Sequence, residues 1–171
     1  TISSSEAGFT KSADQSEAAL SITNQKNHFE IHKVDQDKKQ LAGVSFLITS
    51  DNGYRETKTT NVNGQIVLEG LPIGVYTYAE QPNDGYVMDG KAYTFTVRNS
   101  GITPDSSTLP AIVNTENEFV LQKTDEKGNA LSGVTFRFSY DGKGTSPFAK
   151  DSYLTDNSGQ ITFKKLPAGK Y

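Results

Sequence analysis

Short runs of alternating apolar and polar residues fill most of the chain, and turn residues separate them at short intervals. The clearest run covers residues 93–98, where Tyr93, Phe95 and Val97 share one face because strand side chains alternate between faces. Further strands are predicted at residues 29–34, 44–48, 55–60, 65–68, 75–80 and 111–114. The chain shows no sustained 3.6-residue periodicity, so the pattern predicts an all-β sandwich.

The connections between these strands contain the residues that favour tight turns. Asp51-Asn52-Gly53 indicates a hairpin, Asn63-Gly64 a second turn, and Leu71-Pro72-Ile73-Gly74 a tight bend. At the N-terminus, residues 19–23 are predicted to form a short strand, and the Ser-rich stretch before them is predicted to be loop-like.

The sequence repeats itself along the chain, which is the signature of a tandem array. Residues 22–24, 33–35 and 41–44 match residues 112–114, 123–125 and 131–134 at an offset of 90 positions. Residues 63–66 and 71–76 match residues 158–161 and 166–171 at an offset of 95. The second copy has therefore gained five residues, which we place in a long loop within residues 140–152 because Gly and Pro are frequent there.

The repeat predicts three units. Residues 1–26 are interpreted as the C-terminal remnant of a preceding repeat, residues 27–116 as one complete sandwich, and residues 117–171 as the truncated N-terminal part of the next. No Gly/Ser-rich linker separates the last two, so we expect them to form a semi-rigid rod.

One polar residue interrupts an inward-facing apolar stripe. Lys33 shares its predicted face with Phe29 and Ile31, although a Lys is almost never fully buried without a partner. A single such Lys is usually explained by an aliphatic stem that carries the amine to water. However, Lys123 occupies the same place in the second copy, so the position calls for a specific explanation.

Two other polar residues lie at the ends of inward stripes in the complete unit. Asn114 shares its predicted face with Ile112, and Glu80 follows Tyr78 on its strand. Each of them could simply lie at a strand end near solvent. Together with Lys33 they form a reactive set, because burial favours a neutral, nucleophilic amine and a protonated carboxyl that can polarise an amide. The expected product is a Lys–Asn isopeptide bond, with release of ammonia.

The motifs that carry this set resemble a known family. Lys-x-Asp at Lys33, Leu-Pro-x-Gly-x-Tyr-x-x-x-Glu ending at Glu80 and Ile-Val-Asn ending at Asn114 are similar to the collagen-adhesin B-type domain, a SpaA-like domain of Gram-positive adhesins and pilins. The resemblance covers residues 27–171. It implies tandem prealbumin-like (Ig-like, Greek-key) β-sandwich domains with an isopeptide bond between Lys33 and Asn114, promoted by Glu80.

The sequence also departs from the family pattern. The segment after Glu80 is one residue shorter than the usual family loop, which changes the loop and keeps the Glu. Lys123 has no Glu or Asn partner downstream, and Asn24 has no upstream Lys. Only the complete unit is therefore expected to close its bond within this chain.

Composition removes several other function classes. The 171 residues carry a net charge of -3, which gives no basic face for nucleic acid, and no apolar run is long enough to span a membrane. The chain has no Cys, so disulfides and Cys-based sites are excluded. No signal peptide is visible, which indicates a processed or excised fragment. His28 and His32 lack a third ligand, so neither a metal nor a cofactor is expected.

We therefore expect a structural stalk segment of a cell-wall-anchored adhesin or pilin at the bacterial cell surface. Its bond forms once, on folding, and is not an enzyme activity. The expected partners are neighbouring repeats of the same protein. Two alternatives stay open: a ligand-binding adhesin module that contacts host extracellular matrix, and an accessory domain of a secreted carbohydrate-active enzyme.

Overall fold

A computed structural model describes residues 2–5, 8–11, 25–142 and 145–171. Near the N-terminus, β1 (Ile2–Ser5) pairs antiparallel with β2 (Gly8–Lys11), so the prediction that the Ser-rich stretch is loop-like is wrong for these residues. The strand predicted at residues 19–23, and with it Asn24, lies outside the described residues.

Nine strands form the central sandwich. They are β3 (His28–Asp35), β4 (Ser45–Ser50), β5 (Arg55–Thr59), β6 (Gln65–Glu69), β7 (Gly74–Glu80), β8 (Tyr86–Val87), β9 (Ala92–Arg98), β10 (Gly101–Thr103) and β11 (Ile112–Glu116). One sheet has the strand order β10-β9-β7-β4-β5, and the other has the order β6-β3-β11-β8. All seven strands predicted within residues 27–116 are confirmed to within two residues at each end.

Three short elements were not predicted. They are β8, β10 and a 3-10 helix at Ser106–Thr108. Elements of two or three residues are too short to show a repeating pattern of burial. Asp105 begins the 3-10 helix, because its side chain accepts a hydrogen bond from the backbone N–H of Ser107.

The core lies between the two sheets and is rich in aromatic rings. Phe29 from β3 stacks on Phe95 from β9 with ring centroids 3.9 Å apart, and Tyr76 stacks on the same Phe95 at 5.0 Å. The buried apolar side chains are Phe29, Ile31, Leu41, Val44, Phe46, Ile48, Ile66, Leu68, Leu71, Tyr76, Tyr78, Phe95, Val97 and Ile112. Their burial supplies the main stabilisation of the sandwich, since the chain has no disulfides.

The register of the first and last strands of the sandwich, β3 and β11, sets the positions of Lys33 and Asn114. β3 and β11 are neighbours and run parallel, with Lys33 opposite Ile112 and Asp35 opposite Asn114. On the opposite sheet, β7 pairs with β4 so that Glu80 lies opposite Phe46. The two ends of the nine-stranded unit are thus adjacent in one sheet, and the end of β7 faces them.

The C-terminal segment repeats the beginning of this arrangement. β12 (Glu118–Gln122) pairs antiparallel with β15 (Gln160–Lys164), as β3 pairs with β6. β13 (Thr135–Phe136) pairs with β14 (Tyr153–Leu154). Phe163 is buried at the centre of this segment, with the rings of Phe138 and Tyr153 at 4.4 and 4.9 Å.

Candidate functional site

The backbone of Lys33 is held on both sides by turns of the complete sandwich. Its N–H donates to the carbonyl of Gly64 at 2.8 Å, and its carbonyl accepts from the N–H of Leu41 at 3.0 Å. Gly64 comes so close that a Cβ on it would lie 2.4 Å from the Lys33 carbonyl oxygen. Only Gly fits there, because the same residue also has a φ of +68°. These backbone contacts therefore hold the main chain at Lys33 in place independently of its side chain.

The side chain of Lys33 is fully buried, with an exposed fraction of 0%. The alternative in which its stem carries the amine to water is therefore wrong. The Lys33 Nζ donates to the carbonyl of Ile112 at 3.1 Å and to the carbonyl of Val34 at 3.3 Å. A neutral amine has two N–H groups and one lone pair, so these two acceptors satisfy the neutral form. Within the described part of the chain, the third N–H of an ammonium would have no acceptor at hydrogen-bond distance, since Glu80 Oε2 lies 3.9 Å away.

Asn114 and Glu80 complete the cluster from the two sheets. Asn114 on β11 is fully buried and lies two residues beyond Ile112, the cross-strand partner of Lys33. Glu80 comes from the opposite sheet, with only 2% of its side chain exposed. The Asn114 Nδ2 donates to Glu80 Oε1. The structure thus brings together the amine, the carboxyl and the carboxamide that the sequence singled out.

Two oxygen atoms in this cluster lack a partner. Among the described residues, neither Glu80 Oε2 nor Asn114 Oδ1 accepts or donates a hydrogen bond, and both are buried. If Glu80 were ionised, both atoms would be acceptors without a donor, which is costly away from water. A proton on Glu80 removes its charge, and the resulting O–H can donate to Asn114 Oδ1 when the carboxamide is turned so that Oδ1 takes the place of Nδ2. The hydrogen bonding therefore favours a neutral carboxyl beside the amide.

The electrostatics of the cluster point the same way. Burial lowers the pKa of the Lys33 amine, and the negative charges of Glu80, Asp89 and Asp35 oppose that shift. Burial raises the pKa of Glu80, while the hydrogen bond from Asn114 and the charge of Lys33 oppose that shift. Both shifts reduce the charge of the buried pair, as expected where solvation is lost.

A second carboxylate near the cluster was not found from the sequence. Asp89 is half-buried in the connection after β8 and accepts a hydrogen bond from the hydroxyl of Tyr93. The Tyr93 ring stacks on Tyr78, its cross-strand partner, with centroids 5.3 Å apart. The charge of Asp89 raises the pKa values of both Lys33 and Glu80. Asp89 lies in an irregular connection without a repeat partner, so no pattern in the sequence marks it.

The second copy holds its Lys differently. The Lys123 backbone repeats the turn contacts, because its N–H donates to Gly159 at 2.8 Å and its carbonyl accepts from Leu131 at 3.0 Å. Its side chain is only half-buried, and its Nζ donates to the carbonyl of Thr124 at 2.9 Å. The structure therefore reproduces the backbone setting of Lys33 at Lys123 without the enclosed cluster.

The two His residues lie on the outer face of β3. Glu30 stands between them, with one carboxylate oxygen 2.9 Å from His28 Nε2 and the other 2.9 Å from His32 Nε2. The described residues contain no group of three or more His, Asp or Glu side chains arranged to hold a metal ion. In the same residues, no helix is long and apolar enough to cross a membrane.

Comparison with known proteins gives the family. The profile of the SpaA prealbumin-like fold domain matches residues 27–108 and 117–171, which is most of the chain. The chain therefore belongs to the SpaA prealbumin-like fold family, and its all-β sandwich is the fold of that family. No curated protein matches the sequence.

Several solved structures are similar. The TIE protein of Bacillus anthracis is 27% identical with a TM-score of 0.47, covering 85% of this chain and 27% of that one. A streptococcal ancillary pilin is 20% identical with a TM-score of 0.45, covering 94% and 57%. BcpA, the major pilin subunit of Bacillus cereus, is 27% identical with a TM-score of 0.47, covering 63% and 33%. The chain thus spans less than two thirds of each of these proteins.

Proposed function

We propose that this chain is a stalk segment of a Gram-positive surface adhesin or pilin, stabilised by a self-formed isopeptide bond between Lys33 and Asn114 that Glu80 promotes. One observation carries the proposal: the three side chains are buried together between the sheets, where the charged forms of Lys33 and Glu80 lack adequate partners. Membership of the SpaA prealbumin-like family supports it. The location that follows is the bacterial cell surface.

The nucleophile in this proposal is the neutral amine of Lys33. An unperturbed Lys amine is mostly protonated at neutral pH. Burial lowers the pKa of this amine, and two backbone carbonyls use both N–H groups of its neutral form. The lone pair is then free to attack the carboxamide carbon of Asn114.

Glu80 acts as the proton donor. In the structure Asn114 Nδ2 donates to Glu80 Oε1. With the carboxamide turned so that Oδ1 takes the place of Nδ2, the O–H of neutral Glu80 donates to Oδ1, which withdraws electron density from the carbonyl carbon and stabilises the oxyanion formed by attack. Glu80 then delivers a proton to the departing Nδ2 and receives the proton released by the Lys nitrogen. The Lys Nζ–Asn Cγ bond forms, the Asn Cγ–Nδ2 bond breaks, and one ammonia leaves. Glu80 is regenerated, but the reaction happens once per molecule.

The bond would restrict the unfolded chain. It closes a loop of 82 residues from Lys33 to Asn114, counting both ends. The loop-entropy relation derived for disulfides gives about 4.5 kcal/mol of stabilisation for a loop of this length. This stabilisation takes the place of disulfides in a protein that has no Cys.

The bond also defines a mechanical path. Lys33 lies on the first strand of the sandwich and Asn114 on the last strand, and these two strands are adjacent and parallel. A stretching force applied to the chain at β3 and at β11 would be transmitted through the covalent link. The nine-stranded core would then bear little of this force. This behaviour suits a stalk under load between a cell and its attachment point.

The proposed organisation keeps three units. Residues 27–116 form the unit that closes its own bond, residues 1–26 belong to the preceding repeat, and residues 117–171 belong to the following one. Asn24 and Lys123 are then the unpaired counterparts of Asn114 and Lys33. The neighbouring repeats are the partners of the complete unit.

Intact mass spectrometry of the denatured chain tests the bond. We expect a mass lower than calculated by one ammonia, and a branched peptide that joins Lys33 to Asn114 after proteolysis. The peptide map is required because succinimide formation at Asn52-Gly53 or Asn63-Gly64 also releases ammonia.

Three variants complete this test. Glu80→Ala and Lys33→Ala should restore the full mass and lower the melting temperature. Glu69→Ala, whose side chain is 56% exposed on the outer face, should keep the ammonia loss. A folded parent chain with the full calculated mass would exclude the crosslink.

A further inference from the structure

Equivalent turns of the two copies differ in the residue that precedes the Leu-Pro pair. Gly70 precedes Leu71 in the complete sandwich, and Lys165 precedes Leu166 at the equivalent place in the C-terminal segment. Both residues adopt the left-handed conformation, with φ of +63° for Gly70 and +57° for Lys165. Gly takes this conformation without penalty, whereas a Lys there is strained because its Cβ approaches the backbone.

The surroundings of the two turns are otherwise alike. In the complete sandwich, the side chain of Asn27 accepts from the N–H of Leu71 and donates to its carbonyl, both at 2.8 Å. In the C-terminal segment, Asn117 makes the same two bonds to Leu166, at 2.7 and 2.8 Å. The turn therefore does not require a Lys for its own folding, and the strain at Lys165 needs another explanation.

The side chain of Lys165 reaches back to the preceding sandwich. Its Nζ lies 2.8 Å from a carboxylate oxygen of Glu116, the last residue of β11. The same Nζ lies 5.3 Å from the centre of the Tyr86 ring on β8, within the range of a cation–π contact. Glu116 is 19% exposed, so the ion pair is partly shielded from water.

Backbone contacts surround this ion pair. The N–H of Asn117 donates to the carbonyl of Gly85 at 3.0 Å, and the N–H of Lys165 donates to the carbonyl of Asn117 at 3.0 Å. Gly85 packs so closely that a Cβ on it would lie 3.0 Å from the Cβ of Lys165. The N–H of Ala168 donates to the side chain of Asp84 at 3.2 Å.

The charges of this contact are not repeated at the first copy. Lys26 occupies the position that corresponds to Glu116, and Gly70 occupies the position that corresponds to Lys165. The oppositely charged pair is therefore a property of the contact between the central sandwich and the C-terminal segment, and not a general feature of the repeat.

We propose that Lys165 and Glu116 form a repeat-specific joint, in which a strained Lys of one repeat docks on the end of the preceding repeat and fixes the angle between them. Its partner is thus the neighbouring repeat of the same chain, recognised through a carboxylate and an aromatic face. This proposal stands on contacts outside the Lys33 cluster and does not depend on the isopeptide bond.

Distance measurements between spin labels test the joint in the full chain. The protein has no Cys, so Asn99→Cys and Lys127→Cys place one label on the central sandwich and one on the C-terminal segment without side reactions. We expect a narrow distance distribution for this parent. Lys165→Gly, which copies Gly70, should broaden the distribution and shift its centre. Raising the salt concentration should also broaden the distance distribution of the parent and shift its centre the same way. The reason is that salt screens the Lys165–Glu116 ion pair, since the Lys165 side chain is 51% exposed.

Two further variants separate a joint from a merely local turn residue. Lys164→Ala removes the neighbouring Lys, which pairs with Glu118 within the C-terminal segment, and should leave the distribution unchanged. Glu116→Gln should broaden it while keeping the left-handed Lys165. If Lys165→Gly and Glu116→Gln both give the parent distribution, the joint does not exist and Lys165 serves only its own turn.

Discussion

Lys33 lies directly opposite Ile112 on the adjacent parallel strand, which places Asn114 two residues further along on the same face. In a parallel pair this offset is the separation that a long side chain can cross, since it corresponds to about 7 Å along a strand. A shift of one residue in the register would turn Asn114 to the outer face. The pairing of β3 with β11 thus decides whether the amine and the amide can meet.

The rate of bond formation should depend on pH with a single maximum. The Lys33 amine must be neutral, so the rate rises with pH through its pKa, which burial lowers from 10.5. The Glu80 carboxyl must be protonated, so the rate falls with pH through its pKa, which burial raises from 4.5. The maximum should lie between these two ordinary values. The rate of bond formation is measured by refolding protein that was purified in its unfolded form and determining the mass of samples quenched at successive times. Tyr fluorescence monitors folding separately. A rate that only rises with pH up to 10.5 would contradict a role for protonated Glu80.

Replacing Asp89 by Asn should move that maximum to lower pH. The charge of Asp89 raises the pKa values of both Lys33 and Glu80, so its removal lowers both. The same refolding experiment measures the shift. Asp37→Asn, on an exposed turn, is the control and should leave the maximum in place. An unchanged profile in Asp89→Asn would mean that this carboxylate does not influence the cluster.

Gly64→Ala should destabilise the sandwich more than Gly53→Ala. Both residues have positive φ, so each substitution costs about 1 kcal/mol in backbone strain. A Cβ at Gly64 also meets the Lys33 carbonyl at 2.4 Å, which should add about 1–3 kcal/mol. A Cβ at Gly53 has no described atom within 4 Å. Denaturant unfolding in the Glu80→Ala background compares the two without a crosslink. Equal losses of unfolding free energy in the two variants would show that the contact between Gly64 and the Lys33 carbonyl is not tight.

Lys38→Gly should stabilise the chain. Lys38 has a φ of +64°, and its counterpart in the second copy is already Gly128, with a φ of +85°. Relief of the left-handed strain outweighs the extra freedom of Gly in the unfolded state, for a net gain of about 0.5–1 kcal/mol. Lys39→Gly, at a residue without positive φ, should lose stability in the same unfolding assay. If both variants change the free energy of unfolding in the same direction, left-handed strain at Lys38 is not the cause.

Single-molecule stretching should show whether the bond carries load. If the proposed bond is present, the segment between Lys33 and Asn114 should not extend in the parent chain, because the link bypasses it. In Glu80→Ala, unfolding of the same sandwich should release roughly 280 Å of contour length. Glu69→Ala should behave as the parent. An extension step of this size in the parent would exclude a covalent path between the two residues.

Much of the fold could be predicted from the sequence. Six of the seven predicted strands were found because one face of each is buried, which gives their apolar residues a period of two along the chain. The remaining strand, β5, is exposed and was predicted from its polar, Thr-rich composition. The short elements β8 and β10 and the N-terminal hairpin lacked such a pattern. The set of Lys33, Glu80 and Asn114 was found because each lies at the end of an inward-facing stripe and matches a family motif. Asp89 and Lys165 lie in irregular segments that carry no period.

By itself, the sequence determined which residues face inward, where the chain turns and that two copies are present, because these properties depend on neighbours along the chain. Only the tertiary structure decided that Lys33 is fully buried and that its amine finds two carbonyls but no close carboxylate. It also decided that Lys165 of the C-terminal segment lies 2.8 Å from a carboxylate oxygen of Glu116 at the end of β11. These relations depend on strand register, sheet packing and the contact between repeats, which bring together residues that are distant in the chain.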